Sequence, residues 1–99
     1  MKIIKSKKFD KWYKKLDITQ KTQVDVRITR ILISRNFGTF KQLEDIYELK
    51  FTSGLRVYYA LYDELVILLL NGGNKNTKRE QSRDISLAKK IYREYSNGK

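Results

Sequence analysis

The stretch Ile46-Tyr47-Glu48-Leu49-Lys50-Phe51, followed by Thr52-Ser53-Gly54 and then Arg56-Val57-Tyr58-Tyr59-Ala60-Leu61-Tyr62, decides the fold. Its first six residues alternate strictly. Successive side chains of a strand point to opposite faces, so Tyr47, Leu49 and Phe51 share one face and Ile46, Glu48 and Lys50 the other. Thr52-Ser53-Gly54 reads as a turn, and the run after it is rich in strand formers. In that second strand Arg56, Tyr58, Ala60 and Tyr62 share a face. Asp63-Glu64 predicts a tight hairpin. Leu65 to Leu70 is nearly all aliphatic, as in a central strand covered on both sides. Asn71-Gly72-Gly73-Asn74 is expected to end it. The whole is an antiparallel meander.

The flanks have helical period. Residues 3–5 predict a short edge strand, and Ser6 can cap a helix over residues 7–16. Phe9, Trp12, Tyr13 and Leu16 fall at i, i+3, i+4 and i+7, the spacing of one apolar stripe. Core packing explains these aromatics better than base stacking does. Asp17 or Thr19 can cap a second helix, in which Val24, Ile28, Ile31 and Leu32 share a face. Lys21, Arg27, Arg30 and Arg35 read as its solvated side. Asn36-Phe37-Gly38 should terminate it, with Gly38 suited to a left-handed cap. Residues from about 78 to 96 are helical by pattern, with Thr77 a candidate cap and 77–84 open between loop and helix. The expected fold is α+β: two N-terminal helices, a three- to four-stranded, mainly antiparallel sheet, and a C-terminal helix, all in one domain spanning 1–99.

Twenty-two Lys and Arg against 11 Asp and Glu give a net charge of +11. Such a field attracts polyanions. Nucleic acid is the first candidate partner, an acidic protein the second and an anionic membrane the third; a merely soluble basic surface is the bland alternative. The chain has no cysteine and no histidine. Disulfides, thiol nucleophiles and the usual neutral-pH proton carrier are therefore excluded. The carboxylates are spread without a ligand-like cluster, so neither a metal nor a cofactor is expected. The apolar run 65–70 is far too short to cross a bilayer. No long apolar stretch follows Met1-Lys2-Ile3-Ile4-Lys5, so a cytoplasmic protein with no secretory leader is expected.

The chemistry-bearing residues converge on one end of the meander. If the core lies under Tyr47, Leu49 and Phe51, then Glu48 and Lys50 point away from it, beside Arg56 and Tyr58. Lys75 follows the glycine pair. This set suits RNA cleavage by attack of the 2′-hydroxyl on the adjacent phosphorus. Guanidinium binds phosphate oxygens in a bidentate fashion and remains charged. Preorganised cations act most strongly where charge develops. A lysine among cations can exchange protons near neutral pH. Glu48 is either a base or a group that holds Lys50 or Arg56. The candidate catalytic residues are thus Arg56, Lys75, Lys50 and Glu48. Candidate RNA contacts are Tyr58, which can stack a base, with Lys78, Arg79, Lys7, Lys8 and Lys11. The alternative for each is an ordinary solvated charge, and the lysines of the first helix fit either account equally.

Five segments together resemble a known family. They are Phe9-Asp10-Lys11-Trp12; Arg27-Ile28 with Asn36-Phe37-Gly38; Ile46 to Phe51; Ser53 to Tyr59; and Leu68 to Lys75, with Arg83-Asp84-Ile85-Ser86-Leu87-Ala88-Lys89 fitting behind them. The chain resembles the phage-derived Gp49-like branch of HigB toxins, in the RelE/ParE superfamily, from about Phe9 to Tyr95. The resemblance implies a microbial-RNase-like sheet and a type II toxin that cleaves mRNA on the ribosome. It also implies a helix-turn-helix, HigA-like antitoxin in a toxin–antitoxin hetero-oligomer. Arg56 matches the arginine after the Ser-Gly turn, Lys75 the basic residue after the glycines, and Lys50 a sheet lysine. The chain departs from the pattern in three ways. Glu48 stands where relatives carry a second basic residue, Asp84-Ile85 stands where some carry an aromatic, and the histidines of another branch are absent. A ParE-like gyrase inhibitor and a non-catalytic RNA- or ribosome-binding module are the alternatives.

Overall fold

The computed structural model describes residues 1–74 and 77–97. These form β1 (Lys2–Lys5), α1 (Lys7–Lys14), α2 (Ile18–Ser34), β2 (Phe40–Leu43), β3 (Ile46–Lys50), β4 (Arg56–Asp63), β5 (Val66–Gly73) and α3 (Lys78–Asn97). The strands lie in one sheet in the order β1-β5-β4-β3-β2. β2 to β5 form the expected antiparallel meander, while β1 joins β5 in parallel. The α+β class and the helix-strand order agree with the sequence. The sheet has five strands rather than three or four, because Phe40–Leu43 pairs at the edge. That segment is almost wholly exposed and has no buried alternation to announce it.

Local chemistry sets each helix end. Ser6 caps α1 by accepting the Phe9 amide at 3.0 Å, and its hydroxyl donates to the Leu70 carbonyl, tying the cap to the sheet. Asp17, rather than Thr19, caps α2 in a reciprocal box with Gln20. Thr77 accepts the Glu80 amide at 3.2 Å, and α3 is helical from Lys78 onward. The left-handed cap of α2 is Arg35, with φ 55°, and not Gly38. The helix stops at Ser34 because Arg35 itself turns left-handed, its amide making the last helical return to the Ile31 carbonyl. Gly38 also has positive φ, but its role is to admit the Arg27 guanidinium, which a Cβ there would meet at 3.1 Å.

The sheet is buried on both faces. α1, α2 and the link between them pack Phe9, Leu16, Val24 and Ile31 against Leu49, Val57, Tyr59, Ile67 and Leu69. α3 packs Ala88 and Ile91 against Ile46, Tyr58, Ala60, Leu68 and Leu70. Leu32, expected in the core, is largely exposed. β5 continues through Asn71-Gly72-Gly73 instead of ending at Leu70. Tyr58 pairs with Asn71 and Tyr59 with Leu69, so Leu70 is the extra residue of a bulge. Gly72 is required there, since a Cβ on it would lie 2.3 Å from the Trp12 ring.

Candidate active site

The C-terminal end of β3, the N-terminal end of β4 and the C-terminal end of β5 meet at one end of the sheet. Lys50 is the cross-strand partner of Arg56, and Arg56 in turn pairs with Gly73. One register further in, Glu48 is the partner of Tyr58, which pairs with Asn71. Direct cross-strand partners share a face. Lys50, Arg56, Glu48 and Tyr58 therefore stand together, as the alternation predicted.

The covering of that face corrects the sequence expectation. α3 lies over it, so Glu48 does not point into solvent: its side chain is 1 % exposed. The Glu48 Oε2 accepts from Arg56 Nε at 3.0 Å and from Gln81 Nε2 of α3 at 3.3 Å. A buried carboxylate is tolerated only when paired and hydrogen-bonded, and here it is both. Tyr58 is fully buried and does not present its ring for a base to stack on. Burial raises its phenol pKa well above the ordinary value, with Glu48 and Asp84 adding to the rise and Arg56 opposing it.

Arg56 is the member that reaches out. Its side chain is 22 % exposed, anchored from below by Glu48, with Nη1 donating to the Asn74 carbonyl at 3.3 Å. Asn74 is itself held, because its Oδ1 accepts the Trp12 indole N–H at 3.0 Å. Lys50 is exposed beside Arg56. Lys75 lies outside the described residues. Lys78 and Arg79 are exposed in the first turn of α3, one turn or less from Gln81. Cations at a helix N-terminus oppose the macrodipole, so helix stability does not explain them.

The lysines of α1 are placed differently. Lys7, Lys8 and Lys11 are exposed. Lys7 and Lys8 line a groove of about 440 Å³ with Lys90, Ile91 and Tyr95, against the C-terminal half of α3 and apart from Arg56. Arg27 is not solvated, as its helical position suggested. It lies over the Phe51 ring at 4.5 Å and donates to the carbonyls of Lys50, Phe37 and Thr39. Burial lowers its pKa, and the nearby Arg30 lowers it further, against a smaller opposing effect of Tyr59. Gln81, Asn74 and Trp12 support the cluster without having been singled out for it; only the position of Asn74 behind the glycine pair hinted at a role. Among the described residues no three Asp or Glu side chains gather as a metal ion would need. No helix among them is long and apolar enough to cross a membrane.

A family model described as phage-derived protein Gp49-like matches residues 8–93. An uncharacterized protein of Haemophilus influenzae is 37% identical over 90 residues, covering 87% of each chain. Among solved structures, the isolated RelE toxin of E. coli superposes with a TM-score of 0.63 at 23% identity, covering 85% of this chain and 94% of that one. A chain of the RelB–RelE antitoxin–toxin complex from Methanococcus jannaschii gives 0.63 at 12% identity, covering 83% of this chain and 96% of that one. At such identities the likeness is one of fold: the chain has the fold of the RelE toxins.

Proposed function

The chain belongs to the phage-derived Gp49-like family, and from that premise we propose that it is the toxin of a type II toxin–antitoxin pair, an endoribonuclease that cleaves mRNA on the ribosome. One observation carries this reading most directly. A partly exposed guanidinium, Arg56, is fixed by a buried carboxylate beside a second cation, Lys50, at one end of the sheet. A cation clamped before substrate arrives needs no reorganisation when charge develops, which is where electrostatic catalysis gains most.

The proposed step is attack of the RNA 2′-hydroxyl oxygen on the adjacent phosphorus. A new P–O bond forms to the 2′-oxygen and the bond to the 5′-oxygen breaks, leaving a 2′,3′-cyclic phosphate and a 5′-hydroxyl. The proton leaving the 2′-hydroxyl is balanced by one delivered to the 5′-oxygen. The nucleophile comes from the substrate, so the step is proposed as metal-independent and needing no cofactor. Arg56 and Lys50 neutralise the extra charge on the phosphoryl oxygens. Lys75, which follows β5 in the sequence, is proposed to act with them. Glu48 is better suited to orienting Arg56 than to taking a proton, because it sits beneath α3. Lys78 and Arg79 extend the cationic surface along the RNA, and the N-terminal dipole of α3 adds to their field.

The partner is proposed to be a helix-turn-helix, HigA-like antitoxin, forming a hetero-oligomer in the cytoplasm. Complexes of RelE toxins with RelB antitoxins exist among the structural relatives. Mapping mRNA 5′ ends after induction tests the reading. New ends inside translated codons are expected, and Arg56→Ala should remove them. Stalled supercoiling with intact mRNA would instead support a gyrase inhibitor and sink the nuclease.

A further inference from the structure

A second cationic groove lies on the other side of Lys50. It has a volume of about 400 Å³, within the usual range for small-ligand sites. α2 forms one wall with Gln23, Val26 and Arg30, and the end of β3 with its following turn forms the other with Lys50, Phe51 and Ser53. The two walls are pinned together, because Ser53 donates its hydroxyl to Gln23 Oε1 at 2.9 Å and Arg27 donates to the Lys50 carbonyl at 2.7 Å. Arg27 and Arg30 also line the groove with Lys50, and none of the described residues lining it is a carboxylate.

Two features point to a ligand of mixed character. Arg30 is exposed, while the charge of Arg27 meets neutral carbonyls and the Phe51 ring and no carboxylate among the described residues. Positive potential is therefore left uncompensated on this wall. Val26, 43 % exposed on a basic helix face, supplies an apolar patch beside it. A phosphodiester strand offers both parts: anionic oxygens for Arg30 and an apolar sugar or base face for Val26. Lys50 joins this groove to the other cluster, since it lines the groove and is also the cross-strand partner of Arg56.

We propose that the groove between α2 and the β3–β4 turn is a subsite for the RNA strand flanking the bond to be cleaved, with Arg30 binding its phosphate and Val26 its sugar or base. The inference rests on the RNA-cleaving reading and adds a direction to it: the strand crosses the sheet end at Lys50 and continues over α2. It predicts that binding strengthens with oligonucleotide length on one side of the cleavage point only.

The test is anisotropy of short labelled oligoribonucleotides across a potassium chloride series, with wild type, Arg30→Glu and Lys2→Glu. Lys2 sits on β1 at the opposite edge of the sheet, and its reversal changes net charge equally. Thermal melting checks that each variant is folded. Arg30→Glu should weaken binding about ten-fold and reduce the salt slope by about 0.7 for the lost phosphate contact. Lys2→Glu should change little. Equal losses in the two variants would mean that only the overall field matters, overturning the subsite. Unchanged RNA affinity with weakened binding of an acidic protein partner would assign the groove to that partner and also overturn it. If wild type neither binds nor cleaves RNA, the nuclease reading itself falls; if wild type cleaves and Arg30→Glu cleaves and binds equally well, only the subsite falls.

Discussion

Glu48 holds Arg56 from beneath, its Oε2 lying 3.0 Å from the guanidinium Nε while α3 seals the carboxylate from solvent. Two residues that looked like equal members of an exposed cluster thus have unequal tasks. One is an anchor and the other faces solvent.

The first prediction separates those tasks. Glu48→Gln keeps a carbonyl oxygen for Gln81 but removes the charge opposite Arg56. It should lower stability by about 1–3 kcal/mol, the range for weakening a buried charge-assisted bond. Cleavage should slow, yet the acid limb of the pH–rate profile should stay where it is in wild type. A general base would behave otherwise, and loss of that limb in Glu48→Gln would return the base role to Glu48.

A second prediction concerns the support under Asn74. Gly72→Ala places a Cβ about 2.3 Å from the Trp12 ring, and the ring is braced by α1. Overpacking of this kind costs about 1–3 kcal/mol, so the melting temperature should fall by several degrees. Trp12→Phe keeps most of the packing but removes the indole donor to Asn74 Oδ1. It should fold nearly as well as wild type and cleave less well, because Asn74 is also the carbonyl partner of Arg56. Unimpaired cleavage in Trp12→Phe would show that the indole bond contributes nothing to positioning.

The third prediction follows from Arg27. Its guanidinium gathers the carbonyls of Phe37, Thr39 and Lys50, fastening α2 to the segment leading into β2 and to the end of β3. Arg27→Ala removes three donations, although the Thr39 carbonyl keeps the Lys50 amide, and should cost about 2–3 kcal/mol. Arg27→Lys restores the charge but not the forked geometry, so it should recover only part of that loss. Amide exchange should quicken first in β2, an exposed edge strand paired on one side, with β3. Protection unchanged in Arg27→Ala would refute the clamp.

The strand alternation placed Glu48, Lys50, Arg56 and Tyr58 on one face correctly, because period two is a property of the backbone. It was silent on what covers that face. The signal was present elsewhere, in the unbroken aliphatic run Leu65 to Leu70, which only a strand buried on both sides requires. Arg27 was misread for a related reason. Helical spacing grouped it with Lys21 and Arg30, but the β3–β4 end and the Phe37–Thr39 segment meet α2 at that one position, and only tertiary packing reveals this. β2 escaped because an exposed edge strand is specified by its partner's register and not by its own side chains. The parallel pairing of β1 likewise depends on where α1 and α2 return the chain.

The last prediction uses the buried phenol of Tyr58, whose hydroxyl meets no hydrogen-bond partner among the described residues. An unsatisfied buried hydroxyl is destabilising, so Tyr58→Phe should hold stability at pH 7 or raise it by about 1 kcal/mol. The pH dependence has a definite sign. The folded pKa is raised above the ordinary value of 10.0, chiefly by burial. The native state therefore binds this proton more tightly than the unfolded chain does. The associated stability is fully present below pH 10 and is lost as pH rises toward the folded value. Tyr59 is raised in the same direction, again chiefly by burial. Wild type should thus lose stability above pH 10, and Tyr58→Phe should lose less of it, with Tyr59 accounting for part of what remains. Denaturant melts at pH 8 and at pH 11 measure the difference. Parallel losses in the two proteins would show that Tyr58 is not among the groups whose ionisation unfolds the alkaline protein.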